Sequence, residues 1–216
     1  MAKTIFSTIS LRSFILVIIS LLLITSPLLF LDKEIPSLWV NSWHSPFLDV
    51  FFRYITYLGD GLILIPVLIF LLFNSYTLSA IFAVTTAFEA VLVQLVLKKG
   101  FFAYLDRPSA YIPNFDQLHT VAGENIHSLH TFPSGHTQTI FMVIVFIALA
   151  AKKRNGFNIL LIVVALLTGL SRIYLLQHFF VDVWVGAAIG FSIPVMAIYL
   201  LQKYGKYPKS DKSLKY

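Results

Sequence analysis

The chain contains no cysteine. That absence excludes disulfides, zinc–thiolate centres and cysteine nucleophiles. Charge is also scarce. Charged residues make up 12% of the 216 positions, about half of the roughly 25% that coats an ordinary soluble domain. The ten carboxylates are scattered, and no cluster of them has the look of a two-metal hydrolytic site, so metal-independent chemistry is expected. Nor is there an internal repeat or a composition break that marks a second domain. At about 100–200 residues per domain, the length fits one domain or at most two. What fills the chain instead is apolar: 58% of residues are hydrophobic and mean hydropathy is +0.83. A multi-pass membrane protein is therefore expected. The net charge of +6 is read for its sidedness across a bilayer, not as a nucleic-acid signal.

A spanning helix needs about 20 mostly apolar residues. Six stretches approach that: 14–31, 61–73, 78–97, 137–151, 157–175 and 179–201. The first follows Lys3 and Arg12; it is too long for a signal peptide's apolar core and lacks a small-residue cleavage site, so a retained helix is expected. Residues 47–58 are amphipathic and read as an interfacial helix before the second span. The expected fold is thus all-α, a six-transmembrane-helix bundle, with residues 1–202 as one membrane domain and 203–216 as a Lys-rich, disordered inner tail. With both termini inside, ten of the sixteen Lys and Arg residues fall on the inner side, as the positive-inside rule requires. All six histidines and eight of the ten acids then fall outside. The chemistry is expected at the outer face.

Three segments carry it: Lys99–Pro108, Pro133-Ser134-Gly135-His136, and Ser171-Arg172 followed by His178 and Asp182. Ser134 suits a helix N-cap, and Gly135 lets a ligand approach backbone N–H groups, which bind phosphate at a helix N-terminus. His136 lies in that first turn. His178 and Asp182 are four apart and share a helix face, so the carboxylate can fix the imidazole tautomer. Arg107 and Arg172 offer planar forks to phosphate oxygens, and Lys99 offers a point charge. Arg172 and His178 would face apart on one continuous helix. A break is therefore expected near 173–177, with a new helix beginning near His178.

These segments resemble the signature motifs of the type 2 phosphatidic-acid phosphatase superfamily, which shares its fold with vanadium haloperoxidases. PSGH matches at 133–136, and SR-x5-H-x3-D matches at 171–182 without a gap. The family's K-x6-RP is approximated: seven residues separate Lys99 from Arg107. The resemblance implies His178 as nucleophile, Asp182 as its orienting partner and His136 as general acid and then base. Arg107, Arg172, Ser134, Gly135 and Lys99 hold the phosphate. It implies no cofactor and no metal, and a substrate that is a lipid-linked phosphate or pyrophosphate: phosphatidic acid, phosphatidylglycerophosphate, a polyprenyl pyrophosphate or a lipid A phosphate. The same motifs fit a phosphotransferase acting on a second lipid or sugar, and a binding protein with a dead site.

Other residues have blander readings. His119, His127 and His130 are expected as solvated loop histidines, with a metal site as the rival. Glu89, an ionisable group within a span, is expected to have a structural hydrogen-bond partner, with a proton path as the rival. Gly186 and Gly190 form a small-residue face for packing inside the bundle. Trp39, Trp43 and Trp184 fit an aromatic belt.

Overall fold

The structure, a computed structural model, describes residues 9–151 and 155–204. Lys3, the basic run Lys152–Arg154 and the tail from 205 onward lie outside the described residues, and with them most of the expected inner-side charge. Among the described residues every regular element is helical. In chain order these are α1 (Ile9–Thr25), α2 (Glu34–Asn41), α3 (Pro46–Ile55), α4 (Leu64–Asn74), α5 (Tyr76–Glu89), α6 (Pro108–Tyr111), α7 (Gly135–Ala151), α8 (Asn155–Tyr174) and α9 (Phe180–Tyr204). Short 3₁₀ turns, Thr56–Gly59 and Gly61–Ile63, join α3 to α4. Beyond Glu89 the chain continues as a π-helix, Ala90–Phe101.

Four helical stretches are long and apolar enough to cross a membrane: Arg12–Phe30, Tyr76–Phe101, Gly156–Tyr174 and Phe180–Leu201. The pair Pro46–Gly59 and Gly61–Asn74, bent by 54°, makes a fifth if it counts as one broken span. The amphipathic segment 47–58 and the apolar segment 61–73 are therefore the two arms of one elbow. Gly135–Ala151 is shorter, at 17 residues, which gives about 25 Å at 1.5 Å per residue. Its burial explains its composition. From Ile140 to Phe146 every residue is buried, so α7 is apolar all round because protein surrounds it on all sides. Phe141, Phe146 and Ile144 anchor the main core, which takes in Phe14, Leu71, Phe82, Ala165 and Phe191 from the surrounding helices. α1 lies at the periphery and is largely uncovered, as a lipid-facing helix is.

Two local features seat the site on this scaffold. α9 rides on the start of α7 through Gly186 and Gly190. A Cβ at Gly186 would lie 2.5 Å from the Ser134 carbonyl oxygen, and one at Gly190 would overlap the Gln138 carbonyl. Only small residues allow backbones that close, so the expected small-residue face packs inside the bundle. The second feature is the end of α8. A smaller apolar cluster of Val40, Phe52, Ile173 and Tyr174 pins that end against α2 and α3. There the helix stops: Leu176 takes a left-handed φ of 52°, and the Gln177 and His178 amides both donate to the Arg172 carbonyl, at 2.9 and 3.0 Å. The expected break is present, and α9 begins at Phe180.

Candidate active site

The break turns His178 back toward Arg172. His178 is 1% exposed and lies on the wall of a cavity of about 400 Å³ whose lining includes Lys98, Arg107, Gly135, His136 and Arg172. Segments far apart in the chain thus meet in one chamber.

His178 is held from behind. Its Nδ1 lies 3.4 Å from Asp182 Oδ2 and 3.4 Å from the Thr131 hydroxyl. Thr131 donates to Asp182 Oδ2, and the Phe179 amide donates to the same oxygen at 2.9 Å. Asp182 therefore caps α9 as an acid at N3 does, reaching back to the amide just before the helix, and presents itself to His178 at the same time. Nδ1 is occupied on the carboxylate side, which leaves Nε2 for the cavity. Burial, followed by the field of Arg107, holds the His178 pKa well below its ordinary 6.5, because an imidazolium here has neither water nor a sufficient counter-charge. The ring is neutral at physiological pH, the form a nucleophile needs.

His136 faces the same chamber from the first turn of α7 and is the more open of the two, with its side chain 31% exposed. Its Nε2 lies 4.0 Å from Asp60 Oδ2. Ser134 is fully buried, and its hydroxyl accepts from the Thr137 amide at 3.5 Å and the Thr137 hydroxyl at 3.0 Å. It serves as the helix cap, while the cavity wall is formed by Gly135 and His136. Gly135 has Gln94 close beside it: a Cβ there would meet Gln94 Nε2 at 2.8 Å.

The cations are fixed by neutral groups. Arg107 donates from Nε to the Leu129 carbonyl at 2.9 Å and from Nη1 to the Gln177 carbonyl at 2.9 Å. Burial lowers its pKa. Arg172 donates from Nη1 to the Thr56 hydroxyl at 2.7 Å, and its buried Nε has no partner. Lys98 is 9% exposed and lines the chamber. Lys99 is exposed and lines an outer recess together with Lys98, Arg107 and His127. The π-helix explains why Lys98 and not Lys99 lines the chamber. Its wider turn, seen where the Phe102 amide donates to the Leu97 carbonyl at 2.8 Å, rotates the residues beyond Glu89 out of α-helical register. Spacing arguments built on 3.6 residues per turn cannot follow that rotation. Among the described residues, none of Lys98, Arg107 and Arg172 makes an ion pair with a carboxylate.

The outer loop does not simply float. His119 pairs with Asp49 at 3.0 Å and stacks on His44 at 4.3 Å, so it is an anchor and not the solvated loop histidine expected. Arg53 and Glu124 add a contact at 3.6 Å. His127 lines the chamber. Among the described residues no group of three or more His, Asp or Glu side chains converges as a metal site. Glu89 has the expected structural partner, but on another helix: it accepts from Gln138 of α7.

Sequence reasoning overlooked Thr131, Thr56 and Asp60. Thr131 and Thr56 carry no signal beyond their polarity. Asp60 sits in a Gly-Asp-Gly turn and reads as punctuation.

Two histidines thus share one chamber with Lys98, Arg107 and Arg172, none of which is ion-paired with a carboxylate among the described residues. A family model for the PAP2 superfamily matches residues 76–206, and the chain belongs to that superfamily of membrane phosphatases. The chain is similar to Aquifex aeolicus LpxE, a crystal structure, with a TM-score of 0.67 and 29% identity over 79% of this chain and 96% of that one. It shares its fold with the transmembrane PAP2 type phosphatidylglycerolphosphate phosphatase of Bacillus subtilis, with a TM-score of 0.61 and 17% identity over 90% and 98% of the two chains. No curated protein matches the sequence.

Proposed function

We propose that this protein hydrolyses a lipid-linked phosphate or pyrophosphate through a phosphohistidine on His178. One observation carries the reading: Lys98, Arg107 and Arg172 line the chamber beside two histidines, and among the described residues none of the three is ion-paired with a carboxylate. Buried positive charge without a partner is costly, and a phosphate dianion removes that cost.

The steps balance as follows. His178 Nε2 attacks phosphorus, and the bond from phosphorus to the leaving oxygen breaks. His136 donates its proton to that oxygen, while Lys98, Arg107, Arg172 and the Gly135 amide stabilise the charge growing on the equatorial oxygens. His136, now neutral, takes a proton from water as the water attacks phosphorus. The phosphorus–nitrogen bond breaks, inorganic phosphate leaves and His178 is restored. Thr131 and Asp182 hold His178 in one tautomer throughout. Lys98 takes the role that spacing assigned to Lys99, and Ser134 supports the site as a cap.

The lipid class rests on the apolar part of the chamber's lining, Leu64, Ala90 and Met142, suited to an acyl or prenyl chain. We read the bundle as six spans, with the α3–α4 elbow as a bent one and α7 as the short central one, both termini inside and the site on the outer face. Residues 1–202 are one domain in this reading, and 203–216 are a basic inner-side tail.

The test is phosphate release in detergent with EDTA from a panel of phosphatidic acid, phosphatidylglycerophosphate, polyprenyl pyrophosphate and lipid A phosphates, with His178→Ala alongside. Release lost in the variant is the expected result, and the panel ranks substrates. Activity that needs an added acceptor lipid establishes a transferase instead. Binding without turnover on every substrate establishes a dead site.

A further inference from the structure

The matched family segment begins at residue 76, yet the chamber is not closed by that segment alone. Gly59 and Gly61 of the elbow between α3 and α4 line it, and three elbow residues contact its other walls. Thr56 accepts from Arg172 Nη1 at 2.7 Å. Gly59 lies so close to the PSGH turn that a Cβ there would sit 2.6 Å from the His136 carbonyl oxygen. Asp60 then places Oδ2 at 4.0 Å from His136 Nε2, while its Oδ1 accepts from the Leu62 amide at 2.9 Å and caps the next 3₁₀ turn. The two oxygens of Asp60 therefore have different tasks. One fixes the elbow, and the other faces the histidine.

We propose that this elbow is a working part of the active site and that Asp60 is the positioning carboxylate of His136. The proposal rests on the reading of His136 as the general acid of a phosphoryl transfer. The surroundings show why such a group is needed. Facing His136 are Lys98 from the π-helix, Arg107 and His127 from the outer loop, Arg172 from α8 and His178 from the linker. All are cationic or neutral, and cations oppose a second positive charge nearby. An acid must carry its proton when the leaving oxygen departs. Asp60 is the carboxylate within 4.0 Å of His136, and its charge opposes those of the cations. The chamber thus holds two His–Asp pairs: a sealed one that keeps His178 neutral and aligned, and a half-open one in which Asp60 works against the surrounding cations in favour of a proton on His136.

Asp60→Asn separates the two tasks of Asp60, because Asn caps helices as well as Asp does and removes only the charge. Two readouts are needed. The first is an NMR titration of the ring nitrogens of ¹⁵N-histidine-labelled protein in detergent, with His136 assigned by its loss in His136→Ala. The proposal expects the His136 midpoint about one pH unit lower in Asp60→Asn and restored in Asp60→Glu. The second is the pH profile of kcat/KM on the best lipid phosphate from the panel. The alkaline limb should move down by a similar amount, and activity at neutral pH should fall about tenfold, a fraction of what general acid catalysis supplies. An unchanged midpoint overturns the proposal. So does a profile that keeps its shape in Asp60→Asn, since a purely structural role would leave the limb in place. A parent protein that releases no phosphate sinks the phosphatase reading, while the titration still decides whether Asp60 acts on His136.

Discussion

The two halves of the molecule build the site by different means. Residues 76–204 bring the recognisable motifs: the PSGH turn at the start of the central helix, the Ser171-Arg172 end of α8, and His178 and Asp182 at the break. Residues 9–75 bring no motif, yet Thr56 holds Arg172 and the Gly59-Asp60 turn presses on His136. The chamber's cations and histidines come from one half, and contacts that hold them come from the other. Motif residues specify what chemistry is possible, while residues that fix their geometry come from wherever the fold passes nearby. A support of that kind leaves no constant spacing to read.

That contrast can be broken by mutation, and the effects should fall in a definite order. Arg172→Ala should lower kcat/KM by about 10²–10³, the scale of one preorganised donor to developing charge. Thr56→Val, which keeps Arg172 but removes its anchor, should cost about tenfold or less. Equal losses for the two would mean that the N-terminal half supplies more than orientation. Lys98→Met should cost about tenfold more than Lys99→Met, measured as phosphate release from the same lipid. The reverse order would restore the lysine that spacing favoured.

Gly190→Val tests the scaffold instead of the chemistry. The added side chain meets the Gln138 carbonyl, so thermal unfolding in detergent should show a loss on the scale of overpacking, about 1–3 kcal/mol. Gly61→Ala, whose Cβ meets nothing within 4 Å, should be near neutral.

The smallest expected effect is on stability against pH. His178 has a folded pKa depressed well below 6.5 by burial. The unfolded chain therefore binds a proton that the folded chain refuses as pH falls below 6.5. Stability is lost in that direction, by at most about 1.4 kcal/mol per pH unit for one proton. The unfolding midpoint should decline between pH 6.5 and 5, and the decline should be shallower in His178→Ala. A parent and a variant that decline equally would place the titration elsewhere.

Much of this was legible in advance, and the exceptions have physical causes. The apolar runs announced the long helices because a bilayer demands about 20 apolar residues in sequence, a local requirement. The break after Tyr174 was legible because two side chains needed at one site cannot be six apart on a straight helix. The elbow was not, because an amphipathic arm followed by a short apolar arm reads equally as an interfacial helix and a separate span. Only the 54° bend joins them. Spacing favours Lys99 over Lys98, yet Lys98 lines the chamber, because the π-helical turn changes the register without any mark in composition. The cap reading of Ser134 was legible because a hydroxyl at a helix start can accept from the first turn, and its bonds with Thr137 are of that kind.

The measurement closest to the central claim is trapping of the phosphoryl enzyme. His136→Ala lacks the base that activates water, so its reaction with a ³²P-labelled lipid pyrophosphate, whose leaving phosphate needs little acid assistance, should leave label on the chain after a rapid acid-free quench. The label should be stable to alkali, labile to acid, mapped to the peptide containing His178, and absent when His178→Ala is added. Label on any other residue, or steady phosphate release from His178→Ala, would contradict the account.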